Sequence, residues 1–545
     1  MSSPPYHLSV DGFPQDHFRV HAFVGKETIS EAYSFEITVT APLDADQEIE
    51  RAALGQRATM IWNVGNAPRA FYGVLAAVRH EGVQGTDDFV KLRLRLVPRL
   101  WLLKRKKRTR IYQNMRVPDV VTAVLLEAGL VAKWQLLHVY PVREYCTQYE
   151  ESDYRFVTRL LAEAGIYFYF PEGPPVDAAA LAAATIAGAA GSIADSAVSA
   201  FAGPAAGAMV GDLAAAAAPL IPGDTVVCGD DASWYPAIGG DSAGELAAAG
   251  AAAMLPEVGA AFGGLGDAGD AVLGGASAVA GAVIAAATSQ SAPTLYYLAM
   301  QQTANSHADK ITRFAAHDSV QSDVATFREY DPLRPTVQPM SAAASTQPFA
   351  PSPAEIASGA AYVAGAMAAG AAPLLGAAGG ALGAVSAVAG AVDSLIGQLS
   401  PASNLEQYEH HDPFLFPKWP AALEEASRIL RQARRRASMA DGESGCPKLA
   451  PGHRFALEDH PASHLDRPYV VTSVEHHAGP QPQSGEPWIV YRNVFECARA
   501  EVTYVPPRPK RKSVQVSLTA TVVGPPGAEI HVDPMGQIKV QFHWN

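Results

Sequence analysis

The sequence predicts a mainly β protein with α/β segments, and three observations support this fold class. Apolar and polar residues alternate with period 2 along much of 6–100, and strand patterns return within 405–500. Turns containing Gly, Pro or Asn separate these runs. Between the two regions, residues 101–170 combine helical and strand patterns. The chain has 545 residues, more than one hydrophobic core usually holds, so we expect several domains.

The first domain is expected at residues 1–100, as an antiparallel β-barrel. Phe35, Ile37 and Val39 alternate with polar neighbours, and a second run alternates in the same way over 90–96. Such a pattern is typical of strands with one buried and one solvated face. An open or closed barrel would bury all of these apolar faces together.

Helix signals follow at 101–175, where an α/β segment is expected. One helix is predicted to open with Pro118 and to stop before Gly129, because Pro suits a first turn and Gly a C-terminal stop. A second helix is predicted from Ser152 or Asp153, with an end at Gly165. A short, strongly β run comes directly after it.

A third helix is predicted to open at Pro420, just ahead of further strands. Ala426, Ile429 and Leu430 lie on one of its faces, while several arginines crowd the rest and the C-terminal half. Close to the end of the chain, a strand is predicted to begin at Val522, and Gly and Pro residues mark the turns that follow.

Several of these stretches resemble one family. The runs RIYQN at 110–114, VPDVV at 117–121 and YPVREYCTQYEESDYRFVTRLLAEAGIYFYF at 140–170 stand in the order found in the hub region of VgrG. VgrG is the spike protein of type VI secretion systems and is related to the baseplate hub and spike proteins of contractile phage tails. The final run, 522–545, resembles the opening of the VgrG OB-fold.

The resemblance implies two hub-type β-barrels followed by the start of an OB-fold. Ala/Gly-rich insertions, expected to be helical, interrupt this pattern and depart from the resemblance. It implies the following domains: a first hub barrel at 1–100, an α/β hub segment at 101–175, hub segments with insertions (176–220, 240–292) at 176–340, an insertion at 341–402, a second hub barrel with a helix at 403–505, and a linker with a truncated OB-fold at 506–545. The chain ends inside a predicted strand. We therefore expect a fragment, one half of a split protein, or a chain whose ordered part ends there.

The function that the resemblance implies is mechanical. A homotrimer would cap the secreted tube, help to puncture target membranes and deliver effectors, with no enzymatic activity. Implied partners are an Hcp-like tube ring, baseplate components, and a tip protein, adaptor or effector. No catalytic residue, cofactor, metal or nucleic acid is implied. An alternative is the hub of a contractile phage tail or tailocin.

The insertions leave further alternatives open. No Lys or Arg occurs between Arg159 and Lys310, and residues 356–392 carry no charge. This uncharged run is longer than the roughly 20 apolar residues that a helix needs to span a bilayer. The insertions could therefore act as a pore-forming, membrane-active effector. Their Ala and Gly residues bury little apolar area, and no basic flanks mark a membrane topology. Packed or partly disordered soluble helices, or a docking surface for cargo, are the other interpretations.

Candidate chemistry is sparse. The histidine clusters are Glu409–Asp412 and His476–His477, and adjacent histidines on a strand point to opposite faces, which disfavours a metal site. Cys146 lies in a predicted strand and is expected to be a buried thiol. The basic run Lys104–Arg108 is expected to be a solvated strand edge, or a surface that faces an acidic subunit, tube or sheath component.

Composition excludes some function classes and suggests a compartment. The formal net charge of −13 gives no electrostatic support for nucleic-acid binding. The first residues show neither a basic nor an apolar signal-peptide region, so we expect a cytoplasmic protein that is later secreted through the injection apparatus. The 4 cysteines are widely separated in sequence and are expected to be reduced and buried.

Overall fold

The computed structural model describes a large part of the chain. The described residues are 6–42, 49–63, 69–83, 89–171, 222–238, 293–297, 310–322, 324–329, 340–344, 405–411, 419–480, 489–507 and 516–525, with 527, 532 and 536–544. The three predicted insertions lie outside these residues, except that 341–344 belongs to a strand. Of the predicted linker that begins at 506, residues 506 and 507 are described, and 508–515 lie outside the described residues.

The secondary structure of the described residues is mainly β. The strands are β1 (Tyr6–Val10), β2 (Arg19–Thr28), β3 (Ser34–Pro42), β4 (Arg57–Trp62), β5 (Arg69–Val83), β6 (Phe89–Val97), β7 (Lys107–Met115), β8 (Val131–Gln135), β9 (Arg143–Ser152), β10 (Tyr167–Tyr169), β11 (Thr225–Gly229), β12 (Thr294–Tyr297), β13 (Lys310–Asp318), β14 (Val324–Glu329), β15 (Met340–Ala344), β16 (Glu406–His411), β17 (Ser438–Ser444), β18 (Arg454–Glu458), β19 (Pro468–Pro480), β20 (Ile489–Arg499), β21 (Ala520–Val522) and β22 (Val540–Phe542). The α-helices are α1 (Ile49–Ala53), α2 (Val117–Leu126), α3 (Asp153–Ala164) and α4 (Trp419–Arg434). Short 3₁₀ helices lie at Arg99–Arg105, Pro222–Asp224, Ala232–Trp234 and Ser463–Leu465.

The first barrel is built from β1 to β6. Hydrogen-bonded neighbours follow the order β1-β4-β5-β6-β3-β2, and a bridge between Leu8 and Phe18, just ahead of β2, completes the ring. The predicted alternation is confirmed, since Phe35, Ile37 and Val39 are fully buried and pack inside the ring.

The second barrel is a closed ring of six strands in the order β19-β18-β12-β13-β17-β20, because β20 also pairs with β19. Its interior contains Phe455, Val471 and Phe495. Two of its strands, β12 and β13, come from the 176–340 segment, so the ring combines residues that are far apart in sequence.

One antiparallel ladder joins the two barrels. Strand β2 of the first barrel pairs with β19 of the second, from Thr28 opposite Ser473 to Phe23 opposite Ala478. The two rings therefore belong to one continuous 12-stranded sheet. This shared ladder places side chains of both barrels in one buried environment.

The α/β segment packs α2 and α3 on two small sheets, β7-β9 and β10-β11-β8. Both predicted helices are confirmed. Pro118 lies in the first turn of α2, and Gly129 follows that helix with a φ of 67°. The Ser152 side chain caps α3 by accepting a hydrogen bond from the Arg155 amide, and Gly165 ends it in the left-handed conformation.

The predicted third helix is also confirmed, as α4, which packs on the sheet β15-β14-β16. Ala426, Ile429 and Leu430 are buried against Ala325 and Phe327. The helix buries one of its arginines, Arg434. This residue is fully buried because its guanidinium donates to the carbonyl of Ser322, at 2.8 Å.

Near the end of the chain, β21 pairs with β22, and Val532 forms a bridge with Ile538. The strand predicted to begin at Val522 instead ends there, because Gly524 and Pro525 follow almost at once and Pro cannot donate to a ladder. The OB-fold stays a prediction. None of the helices in the described part of the chain is long and apolar enough to cross a membrane.

Candidate functional site

The most unusual group of side chains lies where the two barrels meet. Glu27 is on β2, Arg69 begins β5, and His476 is on β19; all three are buried. His476 lies directly opposite Gly25 in the ladder, and a Cβ at Gly25 would stand 2.0 Å from the Phe35 ring. Glycine at this position therefore leaves room for Phe35, which stacks on the imidazole.

Hydrogen bonds link these side chains across the joint. Arg69 Nη2 donates to Glu27 Oε1 at 2.8 Å, and His476 Nε2 lies 2.7 Å from the same oxygen. On the other side of the ring, His476 Nδ1 is 2.6 Å from the Tyr491 hydroxyl. Asn493 in turn donates to that hydroxyl at 3.0 Å. This set fits a neutral imidazole that donates through Nε2 and accepts through Nδ1.

Arg69 extends the connection further into the second barrel. Its Nη1 donates to the carbonyls of Pro447 and Leu449, at 3.2 and 3.0 Å. Its guanidinium also lies over Phe71 and Trp62, with the central carbon 4.5 and 5.5 Å from the two ring centroids. We call Glu27, Arg69, His476, Tyr491 and Asn493 the junction network.

Burial and charge act against each other in the junction network. Burial acts to raise the pKa of Glu27, but Arg69 and His476 together hold that pKa below its usual value. Burial lowers the pKa of His476, although the hydrogen bond to Glu27 acts in the opposite direction. The lowered pKa of Glu27 and the lowered pKa of His476 are both consistent with an ionised Glu27–Arg69 pair beside a neutral imidazole. Because His476 is 0% exposed, the network is suited to holding the barrels together and not to meeting a substrate.

The two histidine clusters of the sequence lie in different surroundings. His476 is buried while His477 is partly exposed and lies 3.0 Å from Glu475, which confirms the expectation that neighbouring histidines face opposite sides. Glu409, His410 and His411 belong to β16, and Asp412 lies outside the described residues. Among the described residues, no group of His, Cys, Asp and Glu side chains has the arrangement of a metal site.

The cysteines are buried thiols, as predicted. Cys146, Cys228, Cys446 and Cys497 are free and buried. Burial raises the pKa of Cys146, which leaves its thiol protonated and poorly nucleophilic.

The basic run at 104–108 divides into two parts. Lys107 pairs with Glu150 at 3.4 Å, and Arg108 pairs with Glu127 at 2.6 Å, so these two cations are neutralised within the α/β segment. Lys104 and Arg105 instead lie beside the Trp101 ring, with the cationic centres 5.8 and 5.3 Å from its centroid. The run is therefore not one uniform solvated edge.

A second buried carboxylate, Asp230, was missed from the sequence. It accepts hydrogen bonds from the amides of Leu137 and His138, at 2.9 and 3.0 Å, and from the Tyr140 hydroxyl at 3.1 Å. It thereby fixes a loop in which Val139 is 72% exposed. The Asp-Asp pair that follows β11 was a usable signal, because Asp commonly accepts hydrogen bonds from nearby backbone amides.

Two β-barrels joined by the β2–β19 ladder define a double-barrel fold, and the family comparison gives the class. The phage tail baseplate hub (GPD) family matches residues 26–208 and 279–482, more than half of the chain. The chain therefore belongs to this family.

Similar proteins are type VI secretion spike proteins. VgrG4b of Pseudomonas aeruginosa PAO1 is 26% identical over 99% of this chain and 49% of its own length. VgrG5 of the same strain is 24% identical over 99% of this chain and 50% of its own length. The chain thus spans about half the length of the curated relatives it matches. The predicted relationship to VgrG-type proteins is confirmed.

Among solved structures, the E. coli c3393 protein, described as a component of the type VI secretion system, aligns over 98% of this chain and 88% of its own, with 16% identity and a TM-score of 0.48.

Proposed function

We propose that this protein is a spike and hub component of a type VI secretion system. It assembles as a homotrimer, caps the secreted tube, and helps to puncture target membranes and deliver effectors. The carrying observation is the pair of fused barrels in a chain of the baseplate hub family, whose relatives include VgrG4b and VgrG5. The role is mechanical and needs no catalytic residue.

The physical basis of the proposal is resistance to load. Closed barrels have no free strand edges that could pair with foreign chains or open under force. The β2–β19 ladder and the junction network fix one barrel against the other, since Arg69 and His476 connect strands that are distant in sequence. A cap that transmits the thrust of a contracting sheath needs this fixed geometry.

The partners and location follow from the same proposal. One face of the trimer meets an Hcp-like tube ring and the baseplate, and a tip protein, adaptor or effector binds elsewhere on the spike. The protein resides in the cytoplasm before firing and is then secreted through the apparatus. The family description also favours a second candidate, the hub of a contractile phage tail or tailocin.

The first test is the mass and symmetry of the purified chain, by mass photometry and electron-microscope class averages. A trimer with a ring-shaped end is expected, and a stable monomer at micromolar concentration contradicts the proposal. A pull-down then separates the two candidates. Retention of a secretion-system tube ring, but not of a phage tail tube, supports the secretion system, and the reverse result supports the phage tail.

A further inference from the structure

Three cations surround one indole ring beside the first barrel. Arg95 comes from β6, whereas Lys104 and Arg105 belong to the same 3₁₀ helix as Trp101. Their cationic centres lie 5.8, 5.8 and 5.3 Å from the centroid of the indole. Lys104 and Arg105 are exposed, and Arg95 is half-buried. We call Arg95, Trp101, Lys104 and Arg105 the basic patch.

The charge of the basic patch is only partly balanced by its described neighbours. Arg95 Nε donates to the Ser34 hydroxyl at 2.9 Å. No carboxylate in the described part of the chain forms an ion pair with Arg95, Lys104 or Arg105. Burial lowers the pKa of Lys104, and Glu31 offsets part of that shift. Three like charges around one ring repel each other, so an added carboxylate would be stabilised there.

A long connection leaves the fold and returns to it at one place. Residues 172–221, which lie outside the described residues, connect β10 to the next 3₁₀ helix. Just ahead of the connection, the Phe170 ring lies 4.9 Å from the Tyr33 ring. Just after it, a Cβ at Gly223 would stand 2.1 Å from the Tyr72 carbonyl oxygen, to which the Tyr33 hydroxyl donates. Both ends of the connection therefore lie beside Tyr33.

Two sets of contacts place these ends close to the basic patch. Asp224, just after the connection, is 2.7 Å from Arg99, which begins the 3₁₀ helix of the basic patch. The Lys104 ammonium lies 4.5 Å from the centroid of the Tyr154 ring, whose hydroxyl accepts from the amide of Ala32. An extended chain covers about 3.3 Å per residue, so the connection can reach the basic patch from either end.

The connection carries charge of the opposite sign. It contains neither Lys nor Arg, and its charged residues are all carboxylates, namely Glu172, Asp177, Asp195 and Asp212. We call residues 172–221 the acidic connection. Opposite charges on two parts of one chain that lie close together favour contact between them, most strongly at low salt.

The predicted insertion at 240–292 is also free of Lys and Arg, but it is less well placed. Its described neighbours on both sides contact β18 of the second barrel. Ala237 forms a bridge with Arg454, and the Pro293 carbonyl accepts from the Ala456 amide. This insertion therefore starts and ends on the other barrel.

We propose that the acidic connection docks on the basic patch of its own copy, with its carboxylates against Lys104 and Arg105. A tethered segment needs little affinity for this, because a flexible link gives an effective concentration near the millimolar range. The inference is independent of the proposed function. It assigns a binding surface to one of the insertions whose role the sequence leaves open.

Cross-linking of the unmodified chain is the first test. A carbodiimide joins a lysine amine to a carboxylate without a spacer, so it reports direct contact. In a mixture of unlabelled and isotope-labelled chains, mass spectrometry should find Lys104 joined to carboxylates of the acidic connection within single chains. Links from Lys104 only to Glu31, or links to the acidic connection of a differently labelled chain, would contradict the proposal.

Proteolysis of charge variants is the second test. Elastase accepts small residues such as alanine, so it can cut the acidic connection. Lys104→Glu/Arg105→Glu reverses the basic patch, and the matched control Arg19→Glu/Arg492→Glu makes the same change in charge at exposed cations elsewhere. At low salt, reversal of the patch should raise the cleavage rate within the acidic connection roughly tenfold, and the control less than about twofold. Circular dichroism verifies that each variant is folded.

Charge reversal in the segment completes the test. Asp177→Lys/Asp212→Lys alone should also raise cleavage roughly tenfold, whereas the chain that combines it with the reversed patch should recover to within about threefold of the wild type. Cleavage within the insertion at 341–402 serves as the internal reference and should not change. If reversal of the patch leaves cleavage unaltered, or the combined chain is cut as fast as the single reversals, the acidic connection does not dock there. Neither result bears on the proposed trimer.

Discussion

Glu27 and His476 belong to different barrels, yet Glu27 Oε1 lies 2.7 Å from His476 Nε2 in a site closed to solvent. Arg69 reaches the same carboxylate oxygen at 2.8 Å. A buried charge is tolerable only while its counter-charge and hydrogen bonds are in place. The joint between the barrels therefore depends on all three side chains at once.

We expect Glu27→Gln to lower the free energy of unfolding by about 3–5 kcal/mol, because Arg69 would remain buried without its counter-charge. The control Lys107→Met removes a pair in which both side chains are more than half exposed, and should cost at most about 1 kcal/mol. Urea unfolding followed by near-UV circular dichroism measures both values. Equal losses in the two variants would show that the junction network contributes no more than a surface pair.

The junction network should also make stability depend on pH. Since burial lowers the folded-state pKa of His476, the unfolded chain takes up this proton first on acidification. Stability should therefore fall as the pH drops below about 6.5, the usual histidine value. The lowered pKa of Glu27 adds stability that is lost only at more acidic pH, as the pH falls through that lowered value.

Melting temperatures between pH 7.5 and 5 test this dependence. In His476→Gln, the amide can still donate to Glu27 but does not titrate, so the decline below pH 6.5 should become shallower. The control His477→Gln changes the exposed neighbour and should leave the decline intact. If both variants show the slope of the wild type, another group is responsible for it.

The local parts of the fold were readable from the sequence because their causes are local. Ser152 and Gly165 mark the two ends of α3, since a hydroxyl cap and a left-handed glycine act within one helical turn. The alternation of Phe35, Ile37 and Val39 likewise gave the buried face of β3. The opposite orientations of His476 and His477 followed from strand geometry alone.

The junction network could not be read in the same way, because its partners are remote in sequence. Arg69 binds the carbonyls of Pro447 and Leu449, and nothing near Arg69 indicates that a second barrel will close over it. The burial of Arg434 could not be predicted for the same reason. Arg434 lies in the arginine-rich C-terminal half of α4, and the carbonyl of Ser322, which permits its burial, comes from a distant loop.

Removing the carboxylate of Asp230 should loosen the loop that it holds. In Asp230→Ala the amides of Leu137 and His138 lose their acceptor, so their hydrogen exchange should accelerate by roughly tenfold or more. The matched control is Asp231→Ala, because the neighbouring Asp231 carboxylate accepts from the Ser233 amide instead. Exchange measured by mass spectrometry should change over 137–140 only in the first variant. Unchanged exchange there would mean that the loop is held by packing alone.

Alanine substitutions at Gly165 and Gly55 distinguish the cost of backbone strain from the cost of steric crowding. Gly165 and Gly55 both have positive φ, 75° and 82°, so alanine at either position should cost about 1 kcal/mol through the backbone alone. A Cβ at Gly165 would also lie 2.6 Å from Arg428 Cδ, whereas a Cβ at Gly55 would meet nothing within 4 Å. Arg428 would then have to move away from the carbonyl of Ala164, to which it donates. We therefore expect Gly165→Ala to lower the free energy of unfolding by about 2–3 kcal/mol, against about 1 kcal/mol for Gly55→Ala. Equal losses in urea unfolding would show that Arg428 moves aside at no cost, and that α4 does not depend on this close contact with the end of α3.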